Sequence, residues 1–145
     1  MEEQLIQRLL YNDESDKVEN YIRSINDEKT LYIFSYNYNW DNGFEIPNAI
    51  LQNSSCSLSI ALLLFYNAGG VEYLEEKNLN ANLPTWSVFI QKLYIDIIEK
   101  KYEIGSVAYE NPLTKVQSFK LSKSLSPNEK VFLCNIEGEN CNISL

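Results

Sequence analysis

Residues 58–68 read LSIALLLFYNA, apolar on nearly every side. A helix with no polar face cannot lie on a surface, so this stretch predicts a central, buried helix with the other elements packed around it. Its apolar run, residues 60–66, falls well short of the roughly 20 residues that cross a bilayer. Gly69-Gly70 follows as a stop of the C-cap kind. A chain of 145 residues is long enough to bury a real core in one domain, and neither repeat nor linker divides it. The expectation is one globular domain over residues 1–145, a compact, mainly α multi-helix bundle.

The flanking segments carry helical periodicity. Leu5, Ile6, Leu9 and Leu10 share one stripe, and so do Val18, Tyr21, Ile22 and Ile25 in a second helix over residues 14–25. Asn26 and Asp27 offer capping oxygens for a third helix beginning near Glu28. Tyr32, Phe34, Tyr36 and Tyr38 alternate there, which leaves a strand open beside the preferred helix. Residues 40–45 form a loop, because Asn42-Gly43 favours a turn, and Pro47 suits the first turn of a helix over 48–52. A short helix is expected over 71–77, then an Asn-rich loop. The longest helix runs from Thr85 to about Glu103 and stops at Gly105. Trp86, Phe89, Ile90, Leu93, Ile97 and Ile98 form its inner stripe, with Lys92, Asp96, Glu99, Lys100 and Glu103 toward water. Beyond Ser106 the pattern weakens. Residues 115–121 and 130–136, on either side of Ser126-Pro127-Asn128, form a small hairpin or a helix followed by an extended segment. Val131 to Cys134 has strand character.

Composition then limits the chemistry. There is no histidine, so catalysis and metal binding through imidazole are excluded. No Gly-x-Gly-x-x-Gly or Walker loop cradles a nucleotide. The net charge of -8, with Arg8 and Arg23 as the two arginines, opposes nucleic-acid binding. It suits solubility, or attraction to a basic protein with the encounter steered by charge. Cys56, Cys134 and Cys141 match no common zinc spacing, and their odd number fits a reducing compartment. The acidic start, Met1-Glu2-Glu3, lacks a signal peptide's basic region, so a cytoplasmic protein without membrane attachment is expected. No cofactor and no metal are implied.

Two motifs remain. Asp41 and Glu45 are the best carboxylate pair for acid–base work, four apart in an aromatic-flanked loop; capping or hydrogen bonding is the commoner use of such a pair, with partner contact next and catalysis last. Residues 37–41 imitate a calcium loop, but Asn42 and Asn48 stand where that loop needs Gly and Glu. The aromatic run Tyr32, Phe34, Tyr36, Tyr38, Trp40 and Phe44 fills a core or, where exposed, anchors an interface.

Tyr38-Asn39-Trp40-Asp41-Asn42-Gly43-Phe44, followed by Ser59-Ile60-Ala61-Leu62-Leu63-Leu64-Phe65 and Ala68-Gly69-Gly70, resembles the bacterial family named domain of unknown function 4274. The resemblance covers about residues 28–77. Ile60 stands where that family has Thr, and Gly69 where it often has Asp. Small acidic members of such families resemble immunity proteins, which neutralise a co-encoded toxin by binding it. The resemblance therefore implies a non-enzymatic protein-binding domain that occludes a basic toxin domain. Contact is expected at Trp40, Asp41 and Glu45 and at the acidic segments Asp13-Glu14-Asp16 and Glu72-Glu75-Glu76. A structural, self-associating domain is the alternative, and a carboxylate-dependent enzyme comes third.

Overall fold

The computed structural model describes residues 2–11, 14–77 and 82–145. Its α-helices are α1 (Glu2–Tyr11), α2 (Ser15–Ser24), α3 (Glu28–Tyr36), α4 (Glu45–Gln52), α5 (Leu58–Asn67), α6 (Gly70–Glu76), α7 (Pro84–Ile98) and α8 (Lys115–Ser124). Trp40–Asn42 and Pro127–Leu133 are 3-10 turns. No helix among the described residues is long and apolar enough to cross a membrane.

Helix α5 sits at the centre, as its composition requires. Every residue from Ser59 to Phe65 is buried, and α3, α4, α6 and α7 all pack on it. Its N-terminus carries unpaired backbone donors and a buried hydroxyl, and the chain after α7 satisfies part of that demand. Leu58 N donates to the Glu103 carbonyl at 2.8 Å, and Ser59 Oγ donates to the Val107 carbonyl at 2.7 Å. Helix α3 is also enclosed: Thr30 to Ser35 are all buried. A helix so enclosed has little amphipathic period, which is why its alternating aromatics left a strand open beside the preferred helix. It starts where the Asp27 carboxylate accepts from Thr30 N at 3.0 Å. Tyr32 stacks on Tyr36, and its hydroxyl donates to Asn142 at 2.6 Å.

Helix α7 ends five residues earlier than expected. It stops at Ile98 without a glycine: Lys100 takes the left-handed conformation, φ 60°, and Lys101 N closes back on the Asp96 carbonyl at 3.0 Å. That conformation costs a side-chain-bearing residue about 1 kcal/mol. Asp96, expected to face water, is buried and accepts from Lys92 at 2.8 Å and Lys101 at 2.9 Å. Burial pushes its carboxyl up, but these two ammonium bonds outweigh it and hold the group below its ordinary value. Paired charge here replaces the glycine stop.

The hairpin is absent. Residues 115–124 are α8, started by a capping box in which Thr114 Oγ1 accepts from Gln117 N and Gln117 Oε1 accepts from Thr114 N. Residues 127–133 wind as a 3-10 turn, not a strand, and drop Phe132 into the core against Phe65 and Tyr94. Extended pairing occurs elsewhere, as isolated bridges between Val107 and Glu139 and between Tyr109 and Ile136. Gly138 permits that crossing, since a Cβ there would stand 2.4 Å from the Ser106 carbonyl oxygen.

Candidate partner-binding groove

The loop between α3 and α4 is shaped by short-range bonds that its residues are suited to make. Asn39 Oδ1 accepts from Asp41 N at 3.0 Å and starts the 3-10 turn. Gly43, at φ 91°, reverses the chain, and Tyr38 donates its hydroxyl to the Gly43 carbonyl at 2.7 Å. The turn lays Trp40 among three rings, with centroids 5.4 Å from Tyr38, 5.9 Å from Phe44 and 6.0 Å from Phe89. Trp40 is half-buried, and its indole Nε1 is buried without a hydrogen-bond partner. It acts as a brace holding Phe44 4.8 Å from Phe89 of α7.

Those two rings floor an open groove of about 530 Å³ between α4 and α7. Asn48 and Gln52 line its α4 side; Pro84, Thr85, Val88 and Lys92 line its α7 side. The walls are mostly apolar, and Val88 is 70% exposed. Leu83, just before α7, and Ile95, within it, are 53% and 42% exposed. The charge of Lys92 is taken up by Asp96. Past Gln52 a more polar hollow of about 300 Å³ begins, where Arg23 donates to Gln52 at 2.8 Å.

Asp41 and Glu45 lie close to Phe44 in the chain, one before it and one after, and both are exposed. Neither lines the groove or any other described hollow. Glu14 and Asp16, at the start of α2, are exposed, and so are Glu72, Glu75 and Glu76 on α6. Asp13 lies outside the described residues. Trp40, Asp41 and Glu45 thus share the junction between α3 and α4, with the other described acids on two further elements. Among the described residues, no group of three His, Cys, Asp or Glu could hold a metal ion.

The most perturbed carboxylate was not foreseen. Glu129 is buried; its Oε2 accepts from Lys77 and from the Tyr94 hydroxyl, and its Oε1 accepts from Ser126 N at 2.9 Å. Burial raises its pKa, but these donors prevail and bring it down to about 2. Both oxygens are engaged and no described hollow reaches them, so the cluster is a clamp that joins α6, α7 and the last 3-10 turn. Ser126-Pro127-Asn128-Glu129 was its visible signal: the spacing of a capping box, with Pro at the first position.

The fold and this surface define a small, mainly helical domain with an open apolar groove beside a braced aromatic turn. The chain belongs to the family Domain of unknown function (DUF4274), whose model matches residues 26–102. No curated protein and no solved structure matched it. The matched span reaches beyond residues 28–77 to include α7, and with it both walls of the groove.

Proposed function

We propose that this chain is a non-enzymatic protein-binding domain that takes an apolar anchor of a basic partner into the groove between α4 and α7. Its specific form is a bacterial immunity protein that neutralises a co-encoded toxin by covering it. The observation that carries this reading is an exposed apolar groove lined by Phe44, Val88 and Phe89, with the solvent-facing carboxylates Asp41 and Glu45 close to Phe44 in the chain. Apolar centres with a charged rim are how interfaces combine affinity with selective encounter. The net charge of -8 favours a cationic partner. An enzyme built on Asp41 and Glu45 would need them gathered in an enclosed site, whereas both face water.

Co-expression with the product of the adjacent gene tests this. The two proteins should co-purify and bind with a dissociation constant of about 1 μM or tighter. Val88→Asp should weaken the complex at least about tenfold by placing a charge in the apolar wall. Asp41→Asn with Glu45→Gln should chiefly slow association and reduce its salt dependence. No complex at micromolar concentration would sink the reading.

A further inference from the structure

The residues that follow the Val107–Glu139 bridge run along α3 without helical turns. Glu139 anchors them: its N–H donates to the Ser106 carbonyl, its carbonyl accepts from Ala108 N, and its carboxylate accepts from Lys29 Nζ at 2.7 Å. From there burial alternates. Cys141 is buried and Ile143 and Leu145 are half-buried, while Asn142 and Ser144 are exposed. A period of two marks a strand-like segment with one face on a body. A tight turn, Ile143 N onto the Cys141 carbonyl at 2.8 Å, sets Asn142 at its apex, where Tyr32 donates its hydroxyl at 2.6 Å. Lys29, Tyr32 and Asn37 thus meet residues 139, 142 and 143–145 in the same order along both segments.

Asn37 does here what a residue of a neighbouring strand would do. Its Nδ2 donates to the Ile143 carbonyl at 2.7 Å, and its Oδ1 accepts from Leu145 N at 2.9 Å. A carbonyl and an N–H two residues apart are the pair that one residue of a parallel strand engages. Nδ2 also donates to the Ile33 carbonyl at 2.8 Å, which fixes the amide plane from within α3. Such backbone contact accepts any extended chain, and selection comes from the apolar surface under alternate side chains. Ile143 and Leu145 both pack against the core there. Helix α3 belongs to the family-matched residues, whereas residues 139–145 do not. We infer that the face of α3 around Tyr32 and Asn37 is a site for an extended peptide with apolar residues at alternate positions. In this chain its own residues 141–145 occupy it as an intramolecular ligand. Glu139 is held so close by that the segment rebinds at an effective concentration in the millimolar range, and the site opens by brief local release. None of these residues lines the α4–α7 groove, so the site is independent of the partner reading.

Fluorescence anisotropy with a labelled peptide of residues 139–145 tests this on the whole chain. Ile143→Asp, checked for native helicity, unseats the segment and opens the site. The peptide should bind that variant with a dissociation constant between about 10 μM and 1 mM. The wild type should bind it at least about tenfold more weakly, because its own segment competes. Adding Asn37→Asp, which keeps an acceptor and removes the donor, should weaken peptide binding at least about tenfold. No binding to natively helical Ile143→Asp would overturn the inference, as would equal binding to the wild type or indifference to Asn37→Asp. Where Ile143→Asp fails to fold, hydrogen exchange on the wild type decides. The Ile143 and Leu145 amides should exchange well before those of α5, and about tenfold faster still in Asn37→Asp. Exchange in step with α5, or unchanged in that variant, would overturn it equally.

Discussion

Trp40 illustrates how one residue can be prominent in a sequence and act indirectly. In sequence it fills a core or, where exposed, anchors an interface; in the fold the ring is half-buried and packs on Phe44 and Phe89. An unpartnered buried indole N–H costs about 1–3 kcal/mol. Trp40→Phe removes that cost along with some packing area, so the two changes oppose. Chemical denaturation should place Trp40→Phe within about 1 kcal/mol of the wild type and Trp40→Ala about 3–5 kcal/mol below it. Equal losses in both variants would show that ring size, not the orphan donor, decides this position. Asp96 carries the opposite lesson. Helical spacing set it on the water side, but the Lys92 and Lys101 pairs make its burial tolerable. Lys101 lies past the end of α7, so periodicity within the helix could not reveal it.

At the scale of elements, the readable helices were those with one wet face or none. Helices α1, α2 and α7 show stripes, and α5 declares itself by having no polar side. The end of the chain stayed open between a hairpin and a helix with an extended segment, because its signals are local bonds rather than hydrophobic periods; the helix is present and the extended segment is a 3-10 turn. Thr114-x-x-Gln117 and Ser126-x-x-Glu129 both have capping-box spacing and both mark helical starts. The second contains Glu129, whose pKa falls from 4.5 to about 2 on folding. A carboxylate depressed in the folded state contributes stability that is complete above its unfolded value and disappears as pH falls through the folded one. The clamp should therefore weaken between about pH 5 and pH 2. Glu129→Gln should lower stability at neutral pH by about 2 kcal/mol, because it leaves Lys77 without its counter-charge. Across the acid window its unfolding midpoint should change less steeply than that of the wild type, as read by urea titration at stepped pH. Parallel acid profiles would mean that the clamp does not titrate as assigned.

For the whole molecule, the mainly helical class was legible because α5 forces it, and the family was legible from residues 38–70. The groove was not. It exists because α4 and α7, more than thirty residues apart in the chain, meet through the rings of Phe44 and Phe89. In sequence Val88 is simply an apolar residue off the inner stripe, and it gains meaning only when α4 lies beside it. Hydrogen exchange on the chain with and without the purified product of the adjacent gene tests that surface most directly. Binding through the groove predicts slowed exchange over α4 and the first half of α7, with α6 and α8 little changed. Protection confined to α6 or α8, or none at saturating partner, would contradict it.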